Sequence, residues 1–102
     1  MTQGPQSGKQ KLSNHILETT YRGAQLKLEI FDDGKTQLLI NGLVRDNGSS
    51  ETAVRLSSVV QTDYEWHEFI EGIVSFEPGS ITASLIANNT NLVRKTYKLN
   101  GE

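Results

Sequence analysis

From Ala24 to Phe31 the chain alternates without a break: Ala24, Leu26, Leu28 and Ile30 are set against Gln25, Lys27, Glu29 and Phe31. Successive side chains of a strand point to opposite faces, so a period of two writes a strand with one buried face. The pattern recurs along the chain, and Gly, Pro, Asn, Asp and Ser punctuate it. Thr36 to Arg45 places Leu38, Ile40 and Val44 on one face and Leu39 and Leu43 on the other. Between these runs lies Asp32-Asp33-Gly34-Lys35, where Asp-Gly predicts a type I′ hairpin turn because both residues tolerate positive φ.

Five further runs read the same way: Leu12 to Tyr21, closed by Arg22-Gly23; Ala53 to Thr62; Tyr64 to Glu77; Ile81 to Ala87; and Leu92 to Leu99. Asp46 to Ser50, Pro78-Gly79-Ser80 and Asn88 to Asn91 separate them as loops and turns. Gly72 inside the long run marks an expected bulge. No amphipathic helix of convincing length appears. The spacing predicts an all-β fold, an antiparallel β-sandwich or partly open barrel of six to seven strands, connected mostly as a meander. Its core is expected to contain Ile16, Leu26, Leu28, Ile30, Leu38, Ile40, Leu56, Trp66, Ile70, Val74, Ile81, Leu85 and Leu92. No internal sequence repeat stands out.

A length of 102 residues leaves room for one core. Residues 1–11 carry no buriable side chain beyond Met1 and read as a flexible tail, with 12–102 as a single β domain. With no cysteine, neither disulfides nor a thiolate metal site can support the fold, so burial must. The tail lacks the apolar run of a signal peptide and no stretch approaches a membrane span; a cytoplasmic protein without membrane contact is expected, unless an export signal has been removed. Asn47-Gly48-Ser49 and Asn88-Asn89-Thr90 match the glycosylation pattern, but without such a signal they are read as turn chemistry.

The formal charge of −2 and a pI near 5.7 argue against nucleic acid as a partner. Arg94-Lys95-Thr96-Tyr97-Lys98 interleaves cations with an aromatic, yet three charges make a small footprint. Between Arg55 and Arg94 there is no Lys or Arg, while Asp63, Glu65, Glu68, Glu71 and Glu77 fall there. Such a stretch either steers a cationic partner or pairs across strands with Lys9, Lys11, Arg94, Lys95 or Lys98.

Chemistry is densest at Asp63-Tyr64-Glu65-Trp66-His67-Glu68-Phe69-Ile70-Glu71. As a strand it puts Tyr64, Trp66, Glu68 and Ile70 on one face and Glu65, His67, Phe69 and Glu71 on the other. A helix capped by Asp63, with Trp66, Phe69, Ile70 and Ile73 as its stripe, is the competing pattern; the continuation through Val74 and Phe76 favours a strand. Glu65 and His67, about 7 Å apart along a strand, are a two-ligand fragment, and Glu71 lies about 20 Å from Glu65. No metal, cofactor or catalytic residue is assigned. Neither a nucleophile elbow nor a phosphate-binding glycine loop occurs.

The expected function is that of a small non-catalytic interaction or accessory module, not an enzyme, with its contact surface around residues 63–71. Its binding residues are Tyr64, Glu65, His67 and Glu68. The partner is a protein, or a second copy joined through an edge strand, with Lys protecting the basic last strand where it is such an edge. Two alternatives stay open: a carbohydrate- or small-ligand-binding sandwich using Tyr64 and the Asn-rich loops, and a metal-assisted hydrolase using His67 with Glu65 or Glu68. Glu68 stands apart as a carboxylate on an apolar face.

Overall fold

The computed structural model describes residues 14–61 and 67–99. They form eight strands: β1 (His15–Tyr21), β2 (Ala24–Ile30), β3 (Lys35–Ile40), β4 (Leu43–Ser49), β5 (Ala53–Gln61), β6 (His67–Glu77), β7 (Ser80–Ala87) and β8 (Thr90–Lys98). Strands β1-β2-β3-β4 make one antiparallel meander, sheet A, and β5-β6-β7-β8 make another, sheet B. The two pack face to face as a β-sandwich around a shared core. The expected tail, Leu12, Tyr64, Glu65 and Trp66 lie outside the described residues.

Eight strands replace the expected six to seven because the run from Thr36 to Arg45 turns back on itself. Asn41 and Gly42 sit at φ 52 and 83, the two positive values of a type I′ turn, and Ile40 pairs with Leu43 across them. The segment expected as a loop, Asp46 to Ser50, is instead mostly β4, so Asn47-Gly48-Ser49 is strand and not turn. Arg22-Gly23 and Asn88-Asn89 are also type I′ turns. Asp33-Gly34 is not: only Gly34 has positive φ (88), and its N–H donates to the Phe31 carbonyl at 3.1 Å. That geometry is a type I turn closed by a left-handed residue. Any Cβ at Gly34 would also strike the Ser50 carbonyl oxygen.

Sheet A contributes Leu17, Ala24, Leu26, Leu28, Ile30, Leu38 and Ile40 to the core; sheet B contributes Val54, Leu56, Val60, Ile70, Val74, Ile81, Ala83, Leu85 and Ala87. Four positions depart from the expected pattern. In β1 the buried residue is Leu17, and Ile16 is exposed, because a one-residue difference in register exchanges the faces of a strand. Val44 is exposed on edge strand β4, and Leu92 is only half-buried. Gly72 makes no bulge: β6 runs in unbroken register with both neighbours there. Its role is closeness between sheets, since a Cβ would lie 2.6 Å from Leu28 Cδ1.

The halves share a plan that the sequence does not announce. Sheet A has its register shift between Leu38 and Leu39, just before the Asn41-Gly42 turn; sheet B has its own between Leu85 and Ile86, just before Asn88-Asn89. Each turn asparagine then docks on the strand that precedes its hairpin, β2 for Asn41 and β6 for Asn88. Asn41 N–H donates to Gln25 O and its Oδ1 accepts from Gln25 N–H (2.8 and 2.9 Å). Asn88 makes the same pair with Phe69 (2.8 and 2.9 Å).

Candidate functional site

The described part of the chemically dense segment opens β6, and alternation sorts its side chains. His67 and Phe69 are exposed, whereas Glu68 and Ile70 face the interior. Glu68 is 2 % exposed. A carboxylate taken out of water needs charge-assisted hydrogen bonds to offset the loss of hydration. They arrive from three elements. Arg22, in the β1–β2 turn, donates from Nη1 to Oε2 at 3.2 Å; Tyr21, at the end of β1, places its hydroxyl 3.4 Å from Oε1; Asn88, in the β7–β8 turn, donates from Nδ2 to Oε1. Glu68 therefore ties one end of sheet A to the end of sheet B.

This placement sorts the expected site residues. Glu68 is an interior clasp and presents no carboxylate to a partner on the surface. Because His67 and Glu68 are neighbours in one strand, they point to opposite faces, so of the two pairings a hydrolase could use, the one with Glu68 is not formed, and the one with Glu65 lies outside the described residues. Tyr64 and Glu65 lie outside the described residues, so His67 alone of the four stands at the described surface. Among the described residues no three of His, Asp and Glu converge as metal ligands. The Asn-rich loops are differently employed: Asp46 and Asn47 belong to β4, and Asn88 holds Glu68 and the Phe69 backbone. A shallow depression of about 380 Å³, lined by Asp32, Asp33, Gly34, Ser50, Glu51 and Phe76, lies at the opposite end of the sandwich from Glu68.

The outer face of sheet B carries what the sequence reading missed. Val59 and Phe69 are directly opposite each other in the β5–β6 register, and they are 50 % and 42 % exposed. The next outward pair along the strands is Gln61 with His67; on the other side comes Ser57 with Glu71. Glu71 faces outward yet is only 5 % exposed. Arg55 closes over it, donating from Nε and Nη2 to Oε2 at 3.0 and 2.6 Å, with Ile86 opposite Glu71 on β7. Thus the two acidic residues of this stretch whose partners are seen pair with Arg22 and Arg55, not with the basic last strand. Val59 was legible as strand composition, but its place opposite Phe69 needed the β5–β6 register.

Among the described residues neither sheet closes onto the other by backbone pairing, and side chains bridge both seams. Between β4 and β5, Asp46 Oδ2 accepts from Ser57 N–H at 2.9 Å and Arg45 Nη2 donates to Val59 O at 3.2 Å. This sets Leu43 and Val44, both exposed, toward the Val59 end of β5. Between β1 and β8 the Tyr97 hydroxyl donates to Ile16 O at 3.0 Å, and its ring lies 4.5 Å from that of His15. Burial raises the Tyr97 pKa above its ordinary value of 10.0. No family model matches the chain, and no curated protein or solved structure is significantly similar to it.

Proposed function

We propose that the chain is a small non-catalytic interaction module that contacts a protein partner through the outer face of β5 and the start of β6. The observation that carries this reading is the Val59–Phe69 pair. Two large apolar side chains lie opposite each other on a solvated sheet face, beside exposed His67, with Leu43 and Val44 exposed on the adjoining edge. Clustered exposed apolar side chains with a polar rim mark contact sites, whereas single ones do not. The patch is rigidly backed: Glu68 and Asn88 hold β6 from behind, and Arg45 holds the Val59 carbonyl. Preorganisation of this kind lowers the entropy lost on association. A catalytic reading built on His67 with Glu68 draws no comparable support, because those two side chains diverge.

The test is site-specific photocrosslinking in the cells that express the chain. A photoreactive phenylalanine at position 69 is expected to give a discrete protein adduct that Val59→Asp removes. The same probe at Lys27, on the outer face of sheet A, is expected to give none. Equal adducts at both positions, or an adduct indifferent to Val59→Asp, would set the reading aside.

A further inference from the structure

We propose that β8 is a docking edge for an acidic, extended segment of another protein, which adds to sheet B as a ninth strand. This site is separate from the Val59–Phe69 patch and stands or falls independently of it. Among the described residues β8 pairs with β7 alone, so one row of its backbone groups faces away from the sheet. Leu99 N–H donates to Gly79 O at 2.9 Å, which fixes the alternation of the ladder. With Ala83 opposite Lys95 and Ile81 opposite Tyr97, it is Lys95 and Tyr97 whose N–H and C=O turn inward to β7. Arg94, Thr96 and Lys98 turn theirs outward. The Thr82–Thr96 hydroxyl contact at 3.2 Å agrees, since side chains approach most closely in pairs that do not exchange backbone bonds.

The residues with open backbone groups also carry the charge. Arg94, Thr96 and Lys98 are all exposed, and neither Arg94 nor Lys98 forms an ion pair among the described residues. Lys95 lies over the Tyr97 ring at 5.3 Å. The other seam shows how such an edge is normally closed. There Arg45, in a Leu-Val-Arg run like the one ending at Arg94, reaches across to a carbonyl of β5, and Asp46 caps an amide. Between β8 and β1, among the described residues, the Tyr97 hydroxyl bond is the one bridge of this kind, and Arg94 makes none.

Charge selects the occupant. A second copy pairing β8 to β8 about Thr96 would set Arg94 against the other Lys98, and like charges directly opposite destabilise a strand pair. A nucleic acid would use the cations but not the outward amides, and the chain is acidic overall. An extended peptide with carboxylates four residues apart satisfies both, meeting Arg94 and Lys98 on one face while its backbone takes the open donors and acceptors.

The test is amide exchange by NMR on the full chain, titrated with three probes: a synthetic β-forming peptide with two glutamates four residues apart, the same peptide with lysines, and oligo-dT. The glutamate peptide is expected to slow exchange at Arg94, Thr96 and Lys98 by about tenfold or more, as strand pairing requires, while the lysine peptide has no effect. Arg94→Glu with Lys98→Glu should reverse that preference. Thr96→Pro, which removes an N–H that β7 does not use, should abolish binding with the fold retained; if that variant does not fold, the charge reversal carries the test. The proposal is overturned if these amides are already protected in the free chain, which would mean the edge is occupied by the chain itself or by a second copy. It is overturned equally if oligo-dT binds as well as the glutamate peptide, or if millimolar glutamate peptide leaves the three amides unprotected.

Discussion

Arg22 holds φ 50, in the left-handed region that side chains other than Gly, Asn and Asp seldom enter, and the reward for that conformation is its bond to Glu68. The pair is unequal. The Glu68 side chain is 3 % exposed and that of Arg22 41 %, so losing the arginine takes the cationic partner from a buried carboxylate, whereas losing the carboxylate leaves a guanidinium that is already partly solvated. Arg22→Gln is therefore expected to lower stability by about 2–3 kcal/mol and Glu68→Met by about half that or less, as measured by urea denaturation. Equal losses, or the reverse order, would show that Glu68 does not depend on the arginine. Glu68 was legible in the sequence as a carboxylate on an apolar face. Its partners were not, because Arg22 and Asn88 are brought to it by turns lying 46 and 20 residues away along the chain. The same holds for Glu71, whose outward position was readable but whose cover by Arg55 needed the β5–β6 register.

Among elements, β6 is one where a glycine lets the sheets approach closely. Gly72 faces Leu28 with no room for a methyl group, and Leu28 is fully buried, so its side chain has little space to yield. Gly72→Ala is expected to cost about 1–3 kcal/mol by overpacking and Leu28→Ala about 2–5 kcal/mol by leaving a cavity. In the double variant the new methyl enters the space vacated by the leucine, so the combined loss should fall short of the sum; strict additivity would place the two side chains out of contact. The inner faces of β2, β3 and β7 were legible as period two. What period two cannot supply is where a strand turns. Thr36 to Arg45 keeps its alternation across Asn41-Gly42, so the apolar pattern hides a hairpin that the dipeptide itself signals. Likewise Gly72 carries the composition of a bulge but the geometry of a close approach, and only the facing Leu28 distinguishes them.

For the molecule as a whole, two four-stranded meanders with the same bulge and the same turn-asparagine dock form one core, and their edges are joined by side chains instead of a continuous barrel ladder. The β1–β8 seam hangs on Tyr97, which makes it sensitive to a proton. Burial raises the Tyr97 pKa above 10.0, so the folded chain holds the phenolic proton more tightly than the unfolded chain does. The stability this contributes is fully present below the unfolded value and is lost as pH climbs through the raised one. Ionisation also removes the hydroxyl donor to Ile16 O, a bond worth about 0.5–1.5 kcal/mol. Tyr97→Phe lacks both the donor and the titration. Thermal unfolding of the two proteins should therefore show the native chain ahead at about pH 8 and its advantage shrinking, or reversing, by about pH 11. Groups that titrate equally in both proteins cancel in the difference. A gap that stays constant across this range would mean that the seam is held by the His15–Tyr97 ring contact and not by the phenolic proton.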